Sequence, residues 1–126
     1  MSLNTASKPR ILVVEDEFLI RLTLVEALGD EGFEVLEAET GDAALPMLLG
    51  DPAIRLLLTD IQLPGTLDGK RLAEQVRLAR PDLPILFMTG RPDHAIAATP
   101  IEQYISKPYT LSDMCDTVRG MVAPGT

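Results

Sequence analysis

The sequence predicts a doubly wound α/β domain in which five parallel strands are covered by helices on both faces. Three observations predict it. Residues 11–14, 56–58 and 85–88 are short apolar runs without alternation, the pattern of strands buried on both faces. Helical segments separate the strands, so the connections are crossovers, which are right-handed in parallel sheets. The runs stop on polar residues, and an open parallel sheet gathers such residues in one crevice beyond the carboxyl ends of its strands.

The elements follow in order. Residues 10–14 form a first strand that ends on three acids, Glu15, Asp16 and Glu17. Phe18, Leu19, Leu22, Val25, Ala27 and Leu28 have helical spacing, and Gly32 is the expected stop. Residues 33–39 alternate apolar and acidic, a half-exposed second strand. A helix runs from Thr40-Gly41-Asp42 to Leu49, with Pro46 expected to delay or kink it. The central strand ends on Asp60 and breaks at Pro64-Gly65. Leu72, Val76 and Ala79 are the inward face of the next helix, which Pro81 stops. Residues 84–88 form the fourth strand, closing on Thr89-Gly90. Residues 91–100 should carry a helix but are weakly patterned between Pro92 and Pro100, and are expected to be the most mobile part of the domain. Residues 102–106 form the fifth strand, before Lys107-Pro108. The last helix spans residues 109–122, with Leu111, Met114, Val118 and Met121 as its apolar stripe.

Composition narrows the function. A chain of 126 residues suffices for one core. Its net charge of −8 opposes both a nucleic-acid surface and an anionic membrane face. One cysteine, Cys115, excludes an internal disulfide and fits a reducing compartment as a small core filler. No membrane-length apolar run or signal-peptide pattern is present, so a cytoplasmic location is expected. Residues 1–9 are expected to be a flexible leader, 10–122 the domain and 123–126 a flexible tail.

The strand ends bring Glu15, Asp16, Asp60, Thr89 and Lys107 to one crevice. Each has an ordinary explanation: Asp caps turns, and acids favour helix N-termini. Together, carboxylates without His or Cys select a hard cation, Mg²⁺, while Lys107 and Thr89 offer donors to phosphoryl oxygens. There is no Gly-rich nucleotide loop, which leaves phosphoryl transfer onto Asp60 as the chemistry. His94 reads as an exposed loop residue, and Arg91 either as solvated or as lying over the phosphate.

These residues resemble the receiver domain of two-component response regulators. The resemblance rests on Val13-Val14-Glu15-Asp16-Glu17, Thr59-Asp60-Ile61-Gln62-Leu63-Pro64-Gly65, Met88-Thr89-Gly90 and Tyr104-Ile105-Ser106-Lys107-Pro108-Tyr109. It implies a flavodoxin-like sheet of order 2-1-3-4-5. It also implies that Asp60 accepts a phosphoryl group from a sensor histidine kinase or phosphotransfer protein. Asp16, Asp60 and the Gln62 backbone carbonyl would bind Mg²⁺, with Glu15 acting through water. Lys107 would contact the phosphoryl group, Thr89 would swing onto it, and Tyr104 would fill the space Thr89 leaves, although a buried structural role competes for Tyr104. Such a domain is a two-state switch acting on a downstream protein, with no catalytic turnover beyond its own phosphorylation and dephosphorylation. The Lys107–Pro108 bond is cis in this family.

The sequence departs from the family pattern in three places. The loop after Asp60 is one residue longer than usual, which should shift the start of the third helix and spare the site. The interval from Thr89 to Lys107 is short by about one helical turn, implying a truncated fourth helix and an altered output surface. Gly90 stands where alanine is usual, leaving room near the phosphoryl group. The Thr-Gly pair with a short fourth segment is similar to single-domain receivers of general-stress circuits. With no output domain after the last helix, the chain is expected to act alone or to be a module of a hybrid kinase. The rival reading is a haloacid-dehalogenase-type phosphatase, which needs a second Asp two residues after the nucleophile, where this chain has Gln62.

Overall fold

A computed structural model describes residues 8–91 and 98–122. Five strands, β1 (Arg10–Val14), β2 (Glu34–Ala38), β3 (Ile54–Asp60), β4 (Ile85–Thr89) and β5 (Glu102–Ser106), form one parallel sheet of order β2-β1-β3-β4-β5. The helices are α1 (Phe18–Asp30), α2 (Gly41–Gly50), α3 (Gly69–Ala79) and α4 (Leu111–Val122). The predicted class and strand order are both observed.

Alternation along the central strands explains their continuous apolar runs. Ile11, Val13, Leu56, Leu58, Leu86 and Met88 pack on one face with α1 and α4. Leu12, Val14, Leu57, Ile85 and Phe87 pack on the other with α2 and α3. Both side-chain sets are therefore removed from water, as parallel sheets require. β5 is an edge strand, and most of it is half-exposed.

The helix ends follow their local chemistry. Gly32 adopts φ +99°, its N–H donates to the Gly29 carbonyl, and the Phe33 N–H reaches Leu28, so α1 ends where predicted. Thr40 caps α2 by accepting from the Ala43 N–H at 3.0 Å. Asp68 caps α3 by accepting from the Arg71 N–H at 2.8 Å.

Four sequence expectations need correction. In α1 the buried residues are Arg21, Leu24 and Leu28, while Phe18, Leu19 and Leu22 are exposed. This helix is apolar almost all round, so periodicity could not set its phase. In α3, Ala73 is buried and Ala79 exposed. In α4 the buried stripe is Met114, Cys115, Val118 and Val122; Leu111 is exposed and Met121 lies at the margin. Finally, α2 starts on time and runs unbroken through Pro46, which lies on its exposed side, where water can take the bond that the missing N–H would have made.

The predicted mobile stretch, residues 91–100, includes His94 and falls largely outside the described residues, as do most of the leader and all of the tail. Among the described residues, no helix lies between β4 and β5, and none is long and apolar enough to cross a membrane.

Candidate functional site

The ends of β1, β3, β4 and β5 open onto a cavity of about 750 Å³ bordered by Asp16, Asp60, Gln62, Thr89, Arg91 and Lys107. Asp60 is the last residue of β3 and is buried. Its Oδ2 pairs with Lys107 Nζ at 2.6 Å, and its Oδ1 accepts the Gln62 N–H at 3.2 Å. The ion pair joins residues 47 positions apart in sequence. The Lys107–Pro108 peptide is cis.

Glu15, Asp16 and Asp60 place one carboxylate oxygen each within 4.8 Å of the others. Asp16 is exposed, but Glu15 is fully buried, and Glu15 Oε1 has no hydrogen-bond partner. Its other oxygen accepts the Glu17 N–H at 3.0 Å. Burial pushes the Glu15 carboxyl up to about 7, opposed by that hydrogen bond and reinforced by the charge of Asp60. An all-oxygen acidic cluster with an orphaned buried oxygen fits a hard divalent cation. Burial also raises Tyr109, to about 12, with the charges of Glu15 and Asp60 adding to the effect.

Glu15 gives the site a stability signature. In the unfolded chain its carboxyl titrates near the ordinary 4.5. Between that value and about 7 the folded state keeps a proton that the unfolded state has released, so stability falls as pH rises through this window. Glu15→Gln keeps the shape and removes the charge. In metal-free buffer it is expected to be on the order of 2 kcal/mol more stable than wild type above pH 7, with the difference vanishing near pH 4.5. Urea titrations at several pH values check this, and parallel stabilities at every pH would contradict it.

Thr89 is buried at the end of β4 and borders the cavity, its Oγ1 accepting the Arg91 N–H at 2.9 Å. Arg91 is exposed on the same rim. Gly90 is exposed, and a Cβ there would meet nothing within 4 Å. Tyr104 does not border the cavity. Its ring stacks on Phe87 with centroids 5.0 Å apart.

Three supporting residues were not singled out by the sequence. Arg21, buried on α1, donates to the Glu15 carbonyl and the Glu37 carboxylate, each at 2.8 Å, and so fixes the end of β1. Its signal was its phase with Leu24 and Leu28. Gly69 starts α3 and donates its N–H to the Ile61 carbonyl at 2.7 Å; a Cβ there would overlap the Asp60 carbonyl oxygen. Asp42 holds the lengthened loop, accepting from the Thr66 hydroxyl and, at 3.1 Å, from the Leu67 N–H. Those hydrogen bonds lower its pKa. The longer loop thus docks on the start of α2 while Asp60, Gln62 and Lys107 stay together.

The sequence matches the response regulator receiver domain family over residues 11–119. The chain belongs to that family. This receiver domain is 36% identical over 119 residues to the response regulator receiver protein CpdR of Brucella abortus, covering 90% of this chain and 96% of CpdR. It is 33% identical over 119 residues to the aerobic respiration control protein ArcA of Escherichia coli, covering 91% of this chain and 49% of ArcA. The chain spans about half the length of ArcA and of several other curated relatives it matches. Among solved structures, it resembles the receiver domain of the hybrid histidine kinase CckA with TM-score 0.78 and 30% identity, over 90% of this chain and 98% of that one. The phosphatase reading is not supported: the position two after Asp60 holds Gln62, which has no carboxyl to serve as general acid.

Proposed function

We propose that Asp60 accepts a phosphoryl group from a phosphohistidine of a sensor kinase or phosphotransfer protein, and that the domain then switches its contacts with a downstream protein. The observation that carries this reading is the 2.6 Å pair between Lys107 Nζ and Asp60 Oδ2, set among three converging carboxylates.

An Asp60 oxygen attacks phosphorus as the donor imidazole leaves, forming an acyl phosphate. Lys107 already neutralises the carboxylate and passes to a phosphoryl oxygen once one is attached. Asp16, Asp60 and the Gln62 carbonyl would hold Mg²⁺, with Glu15 behind them, and the cation supplies charge neutralisation for the transfer. The Thr89 hydroxyl turns from the Arg91 backbone toward the new phosphoryl group, and Tyr104 follows into the space it leaves. Nothing is turned over except the domain's own acyl phosphate, which water hydrolyses. The lone buried thiol of Cys115 suits a reducing cytoplasm.

Incubation with acetyl phosphate and Mg²⁺ is expected to add one hydroxylamine-labile phosphoryl group per chain by intact mass, and chelation of the cation should prevent it. A phosphorylated histidine kinase should deliver the same modification. Uptake unaffected by chelation, or no uptake from either donor, would contradict the proposal.

A further inference from the structure

The structure holds a contact that the phosphoryl chemistry does not use. Lys70, the second residue of α3, donates from Nζ to the Tyr104 hydroxyl at 2.5 Å. The same ammonium lies 4.7 Å from the Phe87 ring centroid and 5.0 Å from that of Tyr104. Phe87 and Tyr104 are register partners on β4 and β5, and Phe87 is fully buried two residues before Thr89. Lys70 is thus half-buried between the ring of Phe87 and the hydroxyl end of Tyr104, where a cation is held more strongly than at an open surface.

Lys70 is also tied to the phospho-acceptor strand. Gly69, its neighbour, bonds to the Ile61 carbonyl and lies against the Asp60 backbone so closely that no side chain fits between them. One residue therefore separates the turn after Asp60 from the group that grips Tyr104.

We infer that Lys70 is a positioning residue for the aromatic switch: it latches Tyr104 in the resting arrangement, and Tyr104 must leave it when Asp60 is phosphorylated. This rests on the proposed movement of Thr89 and Tyr104. Removing the ammonium takes away the bond that ties Tyr104 to α3 in this arrangement, so the equilibrium shifts toward the switched state before any phosphate is present. The shift expected is about tenfold in the ratio of the two populations. Arg at this position keeps a cation and N–H donors, and should keep the latch where an uncharged side chain does not.

The test uses the full chain labelled with 3-fluorotyrosine. The two tyrosines, Tyr104 and Tyr109, give two fluorine signals, assigned with Tyr104→Phe. Spectra are recorded at rest and after acetyl phosphate with Mg²⁺, with phosphoryl uptake followed by mass. The Tyr104 signal of resting Lys70→Met is expected to lie displaced toward the phosphorylated position, with faster uptake, while Lys70→Arg matches wild type in both. A resting Tyr104 signal in Lys70→Met identical to wild type, with normal uptake, overturns the latch alone. Lys70→Arg behaving like Lys70→Met also overturns it, since loss of local packing would then explain both. A wild-type chain that takes up no phosphate overturns the phospho-acceptor reading and the latch with it.

Discussion

Asp60→Asn is expected to abolish phosphoryl uptake while leaving the domain folded. The substitution keeps the side chain's shape at the end of β3 and replaces an anionic oxygen nucleophile with a neutral amide, which does not attack phosphorus at a useful rate. Two electrostatic changes oppose each other. The ion pair with Lys107 at 2.6 Å is lost, and the repulsion of Asp60 with Glu15 and Asp16, all within 4.8 Å, is relieved. With Lys107 about one-third exposed, the pair contributes little net stability, so the two changes should cancel to within about 1 kcal/mol. Thermal unfolding near the wild-type midpoint together with no phosphate by mass is the predicted pair of results. Phosphate on the Asn variant would remove Asp60 from the role.

Gly69→Ala should produce the largest loss of stability. The added Cβ would lie 2.8 Å from the Ile61 Cα and closer still to the Asp60 carbonyl oxygen, so strand and helix backbones must part. Overpacking against backbone rather than a flexible side chain costs about 3 kcal/mol, roughly a 10 °C fall in midpoint for a domain this size. Phosphoryl uptake should slow as well, because the displaced backbone belongs to Asp60, the proposed acceptor. Gly120→Ala in α4 is the control: a Cβ there meets nothing within 4 Å, and the exchange should be neutral or slightly stabilising. Equal midpoints for the two variants would show that the close approach at Gly69 has no energetic consequence.

Much of this was legible in the chain. Both-face burial leaves an unbroken apolar run, so β1, β3 and β4 were readable within two residues. The polar residues closing those runs pointed to one crevice because parallel topology allows little else. What stayed hidden was information that no local pattern carries. The phase of α1 was masked by its nearly continuous apolar surface, which obscured the burial of Arg21. The alanines of α3 carry too small an apolar surface to reveal their side, and Ala73 rather than Ala79 faces the core. Gly69 carried no local signal because the atoms that require it belong to Asp60 and Ile61, at the end of β3. Lys70 and Tyr104 are 34 positions apart and belong to no shared motif, so only the packing of α3 beside β5 brings them together.

Locating the modification tests the role of Asp60 most directly. After acetyl phosphate and Mg²⁺, borohydride reduces an aspartyl phosphate to homoserine, and peptide mass spectrometry places the change in the sequence. Homoserine is expected at position 60 and at no other acidic residue. Reduction at Asp16 or Glu15, or an unreduced Asp60 in a chain that carries phosphate, would contradict it.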